Sequence, residues 1–230
     1  MLRLSPAILL LLGLPLHAQS VAPGDYARIR ETAQAVIGFE ILPPRPEPGY
    51  SLDHGIAFAG GHVGTGFAGQ TLTSVGPFDR LSGQPTPPLA LLTGPEGAGL
   101  SLATHRAFGS MAIYPLGAAG YPAVEARGEG SIAVIFDEDI CALGLLVHTD
   151  YADPLGSNAD HRGSVTLTAY GRDGARLGQE SRSLGTGVSA LALRVTDGLA
   201  AIAGATLENT DPGGIAVDDL VFGPCSETLG

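Results

Sequence analysis

The sequence contains no tryptophan and no lysine, and aromatic residues make up only 6% of it. Ring faces stack on the apolar faces of sugars, so this scarcity disfavours a lectin that binds by stacking alone. Since lysine is absent, the 12 cationic residues are all arginine, against 23 aspartate and glutamate residues, and the formal net charge is −11. Such a surface repels phosphate backbones, which excludes nucleic acid as a partner and suits cations instead.

Long apolar runs are absent after the first residues of the chain. Residues 1–20 are typical of a secretory signal peptide, with Arg3 at the positive end, an apolar run over Ala7–Leu16 and small residues at Ala18–Ser20. The apolar run is too short to span a bilayer. We therefore expect a released, soluble protein without a membrane span, either secreted or periplasmic.

Cysteine is scarce, with Cys141 and Cys225 as the two examples. Behind a secretory signal, an even number of cysteines predicts a disulfide, here Cys141–Cys225. The alternative is a pair of free thiols, one of them buried.

Glycine and proline are abundant, at 34 and 17 residues, and divide the chain into short segments. Strand candidates recur at intervals of about ten residues with turns between them, a spacing typical of β-sandwiches. The clearest is a hairpin over Val165–Ser183 with Asp173-Gly174 at its turn. The sequence predicts an all-β fold, an antiparallel two-sheet sandwich of jelly-roll type. We expect a short helix or arm over residues 21–36 and the sandwich domain over residues 37–230.

The last strand candidate, Gly213–Gly223, carries two adjacent carboxylates, Asp218 and Asp219. Ile215 and Val217 share one face by two-residue alternation, whereas Leu220 and Phe222 fall on the other. Either the strand is covered on both faces, or a bulge lies at the aspartates. Adjacent buried carboxylates repel unless a cation or several donors meet them, so we consider a calcium ion there. The alternative is two solvated aspartates at a kink.

A second group of oxygen-bearing side chains lies in one loop. Its members are Asp150, Asp153, Asn158 and Asp160. Four such side chains in a short loop are a second candidate metal site, although their spacing is not that of an EF-hand. Aspartate and asparagine are also ordinary turn residues, and turn chemistry remains the alternative.

Four segments, in this order, resemble bacterial secreted jelly-roll proteins of galactose-binding-like type. They are Phe39-Glu40, Gly55–Phe58, Val165–Gly174 and Gly214–Phe222. The chain is similar to surface proteins sorted by a PEP-CTERM tail, but Pro224–Gly230 carries no sorting motif, apolar helix or basic tail. The resemblance implies a calcium ion between an acid on the first strand and one on the last. The matching residues are Glu40 and Asp218 or Asp219.

We expect a non-catalytic binding module for a glycan or another envelope polymer. Tyr114, Tyr121 and Tyr151 lie near loops and are candidate ligand-binding residues. Two alternatives remain open: a structural or adhesive envelope protein that binds other proteins, and a hydrolase with dispersed active-site residues. No Gly-x-Ser-x-Gly elbow and no zincin histidine pair occurs in the sequence.

Overall fold

The computed structural model describes residues 20–76, 78–92, 96–106, 108–149, 163–185, 187–211 and 213–225. The strands in these ranges are β1 (Val21–Pro23), β2 (Ala35–Ile37), β3 (Tyr50–Leu52), β4 (Ile56–Phe58), β5 (Gly61–Gly64), β6 (Thr71–Val75), β7 (Phe78–Ser82), β8 (Leu100–His105), β9 (Ser110–Pro115), β10 (Ile132–Ile140), β11 (Ala142–Thr149), β12 (Ser164–Tyr170), β13 (Arg176–Ser183), β14 (Gly187–Val195), β15 (Ile202–Asn209) and β16 (Ala216–Gly223). The helices are α1 (Tyr26–Thr32) and a 3-10 turn (Val124–Ala126).

Two antiparallel sheets pack face to face, which confirms the predicted all-β sandwich. The eight-stranded sheet has the order β1-β14-β11-β16-β9-β8-β3, with β2 also paired to β16. The six-stranded sheet has the order β13-β12-β15-β10-β5-β4, and β6 pairs with β7 separately. The predicted hairpin over Val165–Ser183 is present as β12 and β13.

The core lies between the sheets and follows the two-residue alternation of the strands. In β11, Leu143, Leu145 and Val147 are buried in the main hydrophobic cluster, together with Val165 and Leu167 of β12. The intervening positions of β11 face outward, because successive side chains of a strand point to opposite faces. The outer face of the eight-stranded sheet is therefore a distinct surface with its own residues.

Strand β16 changes its neighbour along one edge. It pairs with β11 along both of its halves, so its other edge is left for two strands. On that edge Val217 pairs with Ile113 of β9, whereas Leu220–Phe222 pairs with β2. The change of partner falls at Asp218 and Asp219.

A bulge lies at the same point, as the change of parity in the sequence predicts. Gly144 of β11 pairs with Val221 and Leu146 pairs with Asp218, so Leu145 alone faces two residues of β16. Asp219 has a φ of 48°, a left-handed conformation that aspartate adopts more readily than most residues. Both faces of β16 are also covered, since Asp219 is its one residue that is not buried.

Helix α1 covers part of the outer face of the eight-stranded sheet. The carboxylate of Asp25 caps it by accepting hydrogen bonds from the backbone N–H groups of Ala27 and Arg28. Ile29 packs against Ala192 and Val221. A Cβ on Gly144 would lie 2.8 Å from the Tyr26 ring, so glycine there permits the close approach of the helix.

The short helix expected within residues 21–36 is present as α1. The same region also contributes β1 and most of β2 to the eight-stranded sheet. Strand β2 ends at Ile37, because Phe39 has a φ of 60° and turns the chain there. The predicted signal peptide, apart from Ser20, lies outside the described residues.

The predicted disulfide is present between Cys141, at the start of β11, and Cys225, just after β16. It suggests an oxidising, extracytoplasmic compartment. Among the described residues, no helix has the length and apolar character needed to cross a membrane.

We predict that replacing both cysteines, Cys141→Ser with Cys225→Ser, lowers the free energy of unfolding by about 4 to 5 kcal/mol, as the chain-entropy model gives for a loop of this size. The bridged residues are 84 positions apart, so their crosslink restricts a long segment of the unfolded chain. Denaturant titration measures the change. A reducing agent should destabilise the original protein and leave the double variant unaffected; equal stability of the two proteins would contradict the prediction.

Candidate functional site

A group of polar side chains lies on the outer face of the eight-stranded sheet, beside the point where β16 changes its neighbour. His105 of β8 pairs in register with Ser110 of β9, and His148 of β11 pairs with Ala216 of β16. Asp218 follows Ala216 on the same outward face, because Val217 between them points into the core. We call His105, Ser110, His148 and Asp218 the outer-face cluster.

The centre of the cluster is a hydrogen bond between a hydroxyl and a carboxylate. Ser110 Oγ donates to Asp218 Oδ2 at 2.6 Å, and the backbone N–H of Asp219 donates to Asp218 Oδ1 at 2.7 Å. Asp218 is only 3% exposed. These two hydrogen bonds therefore stabilise a carboxylate that is almost completely shielded from water.

The environment of Asp218 changes its acidity. Burial raises the pKa of its carboxyl from 3.8 to about 6, the hydrogen bonds from Ser110 and Asp219 N–H oppose the rise, and the charges of Asp219 and Glu40 add to it. The contribution of Glu40 shows that its carboxylate acts on Asp218 across the space between them. Asp218 is therefore a group that takes up and releases a proton in the mildly acidic range.

Asp219 faces a cation of the chain itself. Its carboxylate forms an ion pair with Arg30 of α1, and Arg30 also donates to the Tyr26 hydroxyl at 3.0 Å. Tyr26 in turn donates to the backbone carbonyl of Asp219 at 3.1 Å. Helix α1 thus holds the bulge from outside the sheet.

Two histidine rings lie next to this carboxylate site. The ring centroids of His105 and His148 are 4.5 Å apart with the planes at 70°, and the Phe108 ring lies 4.9 and 5.8 Å from them. Phe108 N–H donates to His105 Nδ1 at 3.3 Å. The site therefore combines imidazole rings, one half-buried phenyl ring and a carboxylate.

The tyrosines predicted as ligand-binding residues occupy different environments. Tyr114 is 6% exposed and donates to Glu47 Oε1 at 2.8 Å, while Arg127 pairs with the same carboxylate. Its buried ring does not offer a stacking face, which corrects the expectation for this residue. Tyr121 is half-buried and donates to the Gly49 carbonyl at 3.1 Å. Tyr151 lies outside the described residues.

The predicted calcium ligands are partly brought together. Glu40 is exposed and accepts a hydrogen bond from Met111 N–H at 3.3 Å, close enough to Asp218 for their charges to interact. The carboxylate of Asp219 is paired with Arg30 of α1. Within the described ranges, no three histidine, cysteine, aspartate or glutamate side chains gather as a metal site. Calcium at Glu40 and Asp218 stays a prediction.

The second predicted metal group lies outside the described residues. Its members are Asp150, Asp153, Asn158 and Asp160. The described chain ends before them at Thr149, directly after His148 of the outer-face cluster.

Sequence analysis missed most of the outer-face cluster. No sequence motif surrounds His105, His148 or Ser110. A signal was nevertheless present, since β9 and β16 place Ser110 and Asp218 at outward positions next to the small outward residues Ala112 and Ala216. Only the register of four strands shows that these positions meet.

Comparison with known proteins gives little beyond the fold. No family model matches the chain, and no curated protein matches it. A crystal structure of the enzymatically active domain of tailspike protein 4 from bacteriophage CBA120 matches with a TM-score of 0.32 and 11% identity. The match covers 54% of this chain and 17% of that chain. It is a distant likeness of fold, it assigns no family, and it carries no argument about function.

We predict a pH-dependent stability contribution from Asp218. Its pKa is raised to about 6 in the folded protein, so the contribution is fully present below about pH 4 and is lost as the pH rises through about 6. In chelator, the free energy of unfolding of the original protein relative to Asp218→Asn should fall by about 1 to 3 kcal/mol across that range. Denaturant titrations at several pH values measure it. A difference that does not change with pH would contradict the prediction.

Proposed function

We propose that this chain is a secreted or periplasmic, non-catalytic binding module for a glycan or another envelope polymer, which binds at the outer-face cluster. The supporting observation is the placement of Ser110, Asp218 and two histidines together on the outer face of the eight-stranded sheet, where Ser110 is half-buried and the other three are buried. Burying a carboxylate there costs free energy, and such costs are concentrated at functional sites.

The chemistry of the cluster suits a ligand rich in hydroxyl groups. A carboxylate accepts hydrogen bonds from hydroxyls, an imidazole donates or accepts, and the Phe108 ring offers a face of limited size. Glu40 adds an exposed carboxylate at the rim. The formal charge of −11 favours neutral or amino-bearing polymers over anionic ones. The resemblance to galactose-binding-like secreted proteins supports the same class of ligand.

Two observations support the proposed secreted or periplasmic location. The disulfide Cys141–Cys225 suggests an oxidising environment. The predicted signal over residues 1–20 suggests export to the periplasm or beyond. A polymer of the cell envelope is present in either location.

We predict that the purified protein is retained on at least one insoluble polymer of a panel that includes peptidoglycan, chitin and neutral polysaccharides. Glu40→Gln and Ser110→Ala should each weaken retention by about tenfold or more, because a hydrogen bond to a charged group contributes about 1.5 to 3 kcal/mol. Depletion isotherms measure the affinity.

The matched control is Glu138→Gln, which removes an exposed carboxylate from β10 of the other sheet and should leave retention unchanged. No retention on any polymer would overturn the proposal. Retention on whole envelopes that protease treatment abolishes would replace it with the alternative of a structural or adhesive protein that binds other proteins.

A hydrolase is the second candidate, and one observation favours it. Asp218, with a pKa of about 6, lies 2.6 Å from the Ser110 hydroxyl, and a carboxyl group of that acidity suits general acid–base catalysis. The same polymers, assayed for released reducing sugars, test this candidate. Release that Asp218→Asn abolishes while retention persists would establish catalysis; no release with intact retention would support the binding module.

A further inference from the structure

A second pair of carboxyl groups lies away from the outer-face cluster, where the turn before β10 meets the segment between β15 and β16. Asn209 Nδ2 donates to the carbonyls of Gly128 and Gly130 at 2.9 and 3.0 Å. Ile215 N–H donates to the same Gly128 carbonyl at 3.0 Å. These contacts join the entry to β10, in one sheet, to the entry to β16, in the other.

The backbones approach closely at this junction. Gly128 has a φ of 79°, and a Cβ there would lie 2.2 Å from Ile215 N. On the facing segment Gly214 has a φ of 74°, and its Cβ would lie 2.1 Å from the Arg127 carbonyl. No side chain can be accommodated at either position, so the residue between Gly128 and Gly130 has a fixed location.

That residue is Glu129, which is 4% exposed, and the charge of Asp211, which is 0% exposed, acts on it across the junction. Asp211 Oδ1 accepts a hydrogen bond from Gly213 N–H at 2.9 Å. Glu129 Oε2 is enclosed and has no hydrogen-bond donor. The neighbouring Arg127 pairs with Glu47 through one terminal nitrogen, and its buried Nε has no hydrogen-bond acceptor.

We propose that Glu129 and Asp211 form a binding site for a hard divalent cation of the calcium class. Calcium prefers carboxylate oxygens, and a cation between the two groups would satisfy Glu129 Oε2 and remove the repulsion between like charges. A cation at this site would link the segment before β10 to the segment before β16. The site is separate from the predicted pair of Glu40 and Asp218. Burial and then the charge of Asp211 raise the pKa of Glu129 to about 8, and a bound cation would lower it.

The test compares melting temperatures in calcium chloride and in chelator for the original protein, Glu129→Gln and Asp218→Asn. Calcium at a hundredfold excess over its dissociation constant should raise the melting temperature of the original protein by roughly 5 to 10 °C. The shift should persist in Asp218→Asn and disappear in Glu129→Gln. Equilibrium dialysis with calcium should give the matching change in bound ion.

Two outcomes would overturn the proposal. Absence of a shift in the original protein would show that the pair does not bind calcium. A shift that survives Glu129→Gln but is lost in Asp218→Asn would place the calcium at Glu40 and Asp218. Should Glu129→Gln fail to fold by circular dichroism, Asp211→Asn replaces it with the same expected loss. Polymer retention by Glu129→Gln in chelator should equal that of the original protein in chelator, which separates this proposal from the proposed function.

Discussion

Strand β16 shares one edge between β9 and β2, and this change of neighbour coincides with the bulge at Asp218 and Asp219. The bulge keeps Val217 and Leu220 both in the core although three positions separate them. It also turns Asp218 toward Ser110 and Asp219 toward Arg30. The backbone irregularity that closes the sandwich therefore also sets the position of the candidate site.

The negative charges of the carboxylates in this chain are balanced by different kinds of group, because lysine is absent and arginines are few. Asp219 has an arginine from α1, and Asp139 has Arg172 from the hairpin turn. Asp218 relies on a hydroxyl and a backbone N–H, which leave its pKa raised. Glu129 has an oxygen without a donor. A buried carboxylate with fewer donors around it has more unbalanced negative charge. Binding of a ligand, a proton or a cation there would therefore release more free energy.

Both carboxylate sites lie along one path through the fold. Asp211 precedes β16 and Asp218 lies within it. Ser110 lies on β9, which pairs with β16, and Glu129 follows Gly128, whose carbonyl accepts a hydrogen bond from Ile215 just before β16. A cation at the first site would hold the entry to β16, whose bulge supports the second. Stability and ligand binding would then share one strand, as expected where a rigid element carries a functional site.

The sequence by itself determined the fold class, the hairpin over Val165–Ser183, the Cys141–Cys225 pairing and the irregularity at Asp218, because alternation, turn residues and cysteine count are local signals. It did not determine that Tyr114 is buried, that Asp219 pairs with Arg30, or that His105, Ser110, His148 and Asp218 meet. Those facts depend on the order and register of strands distant in the chain. A strand's pattern states which face a residue takes, and only the packed sheets decide which residues share that face.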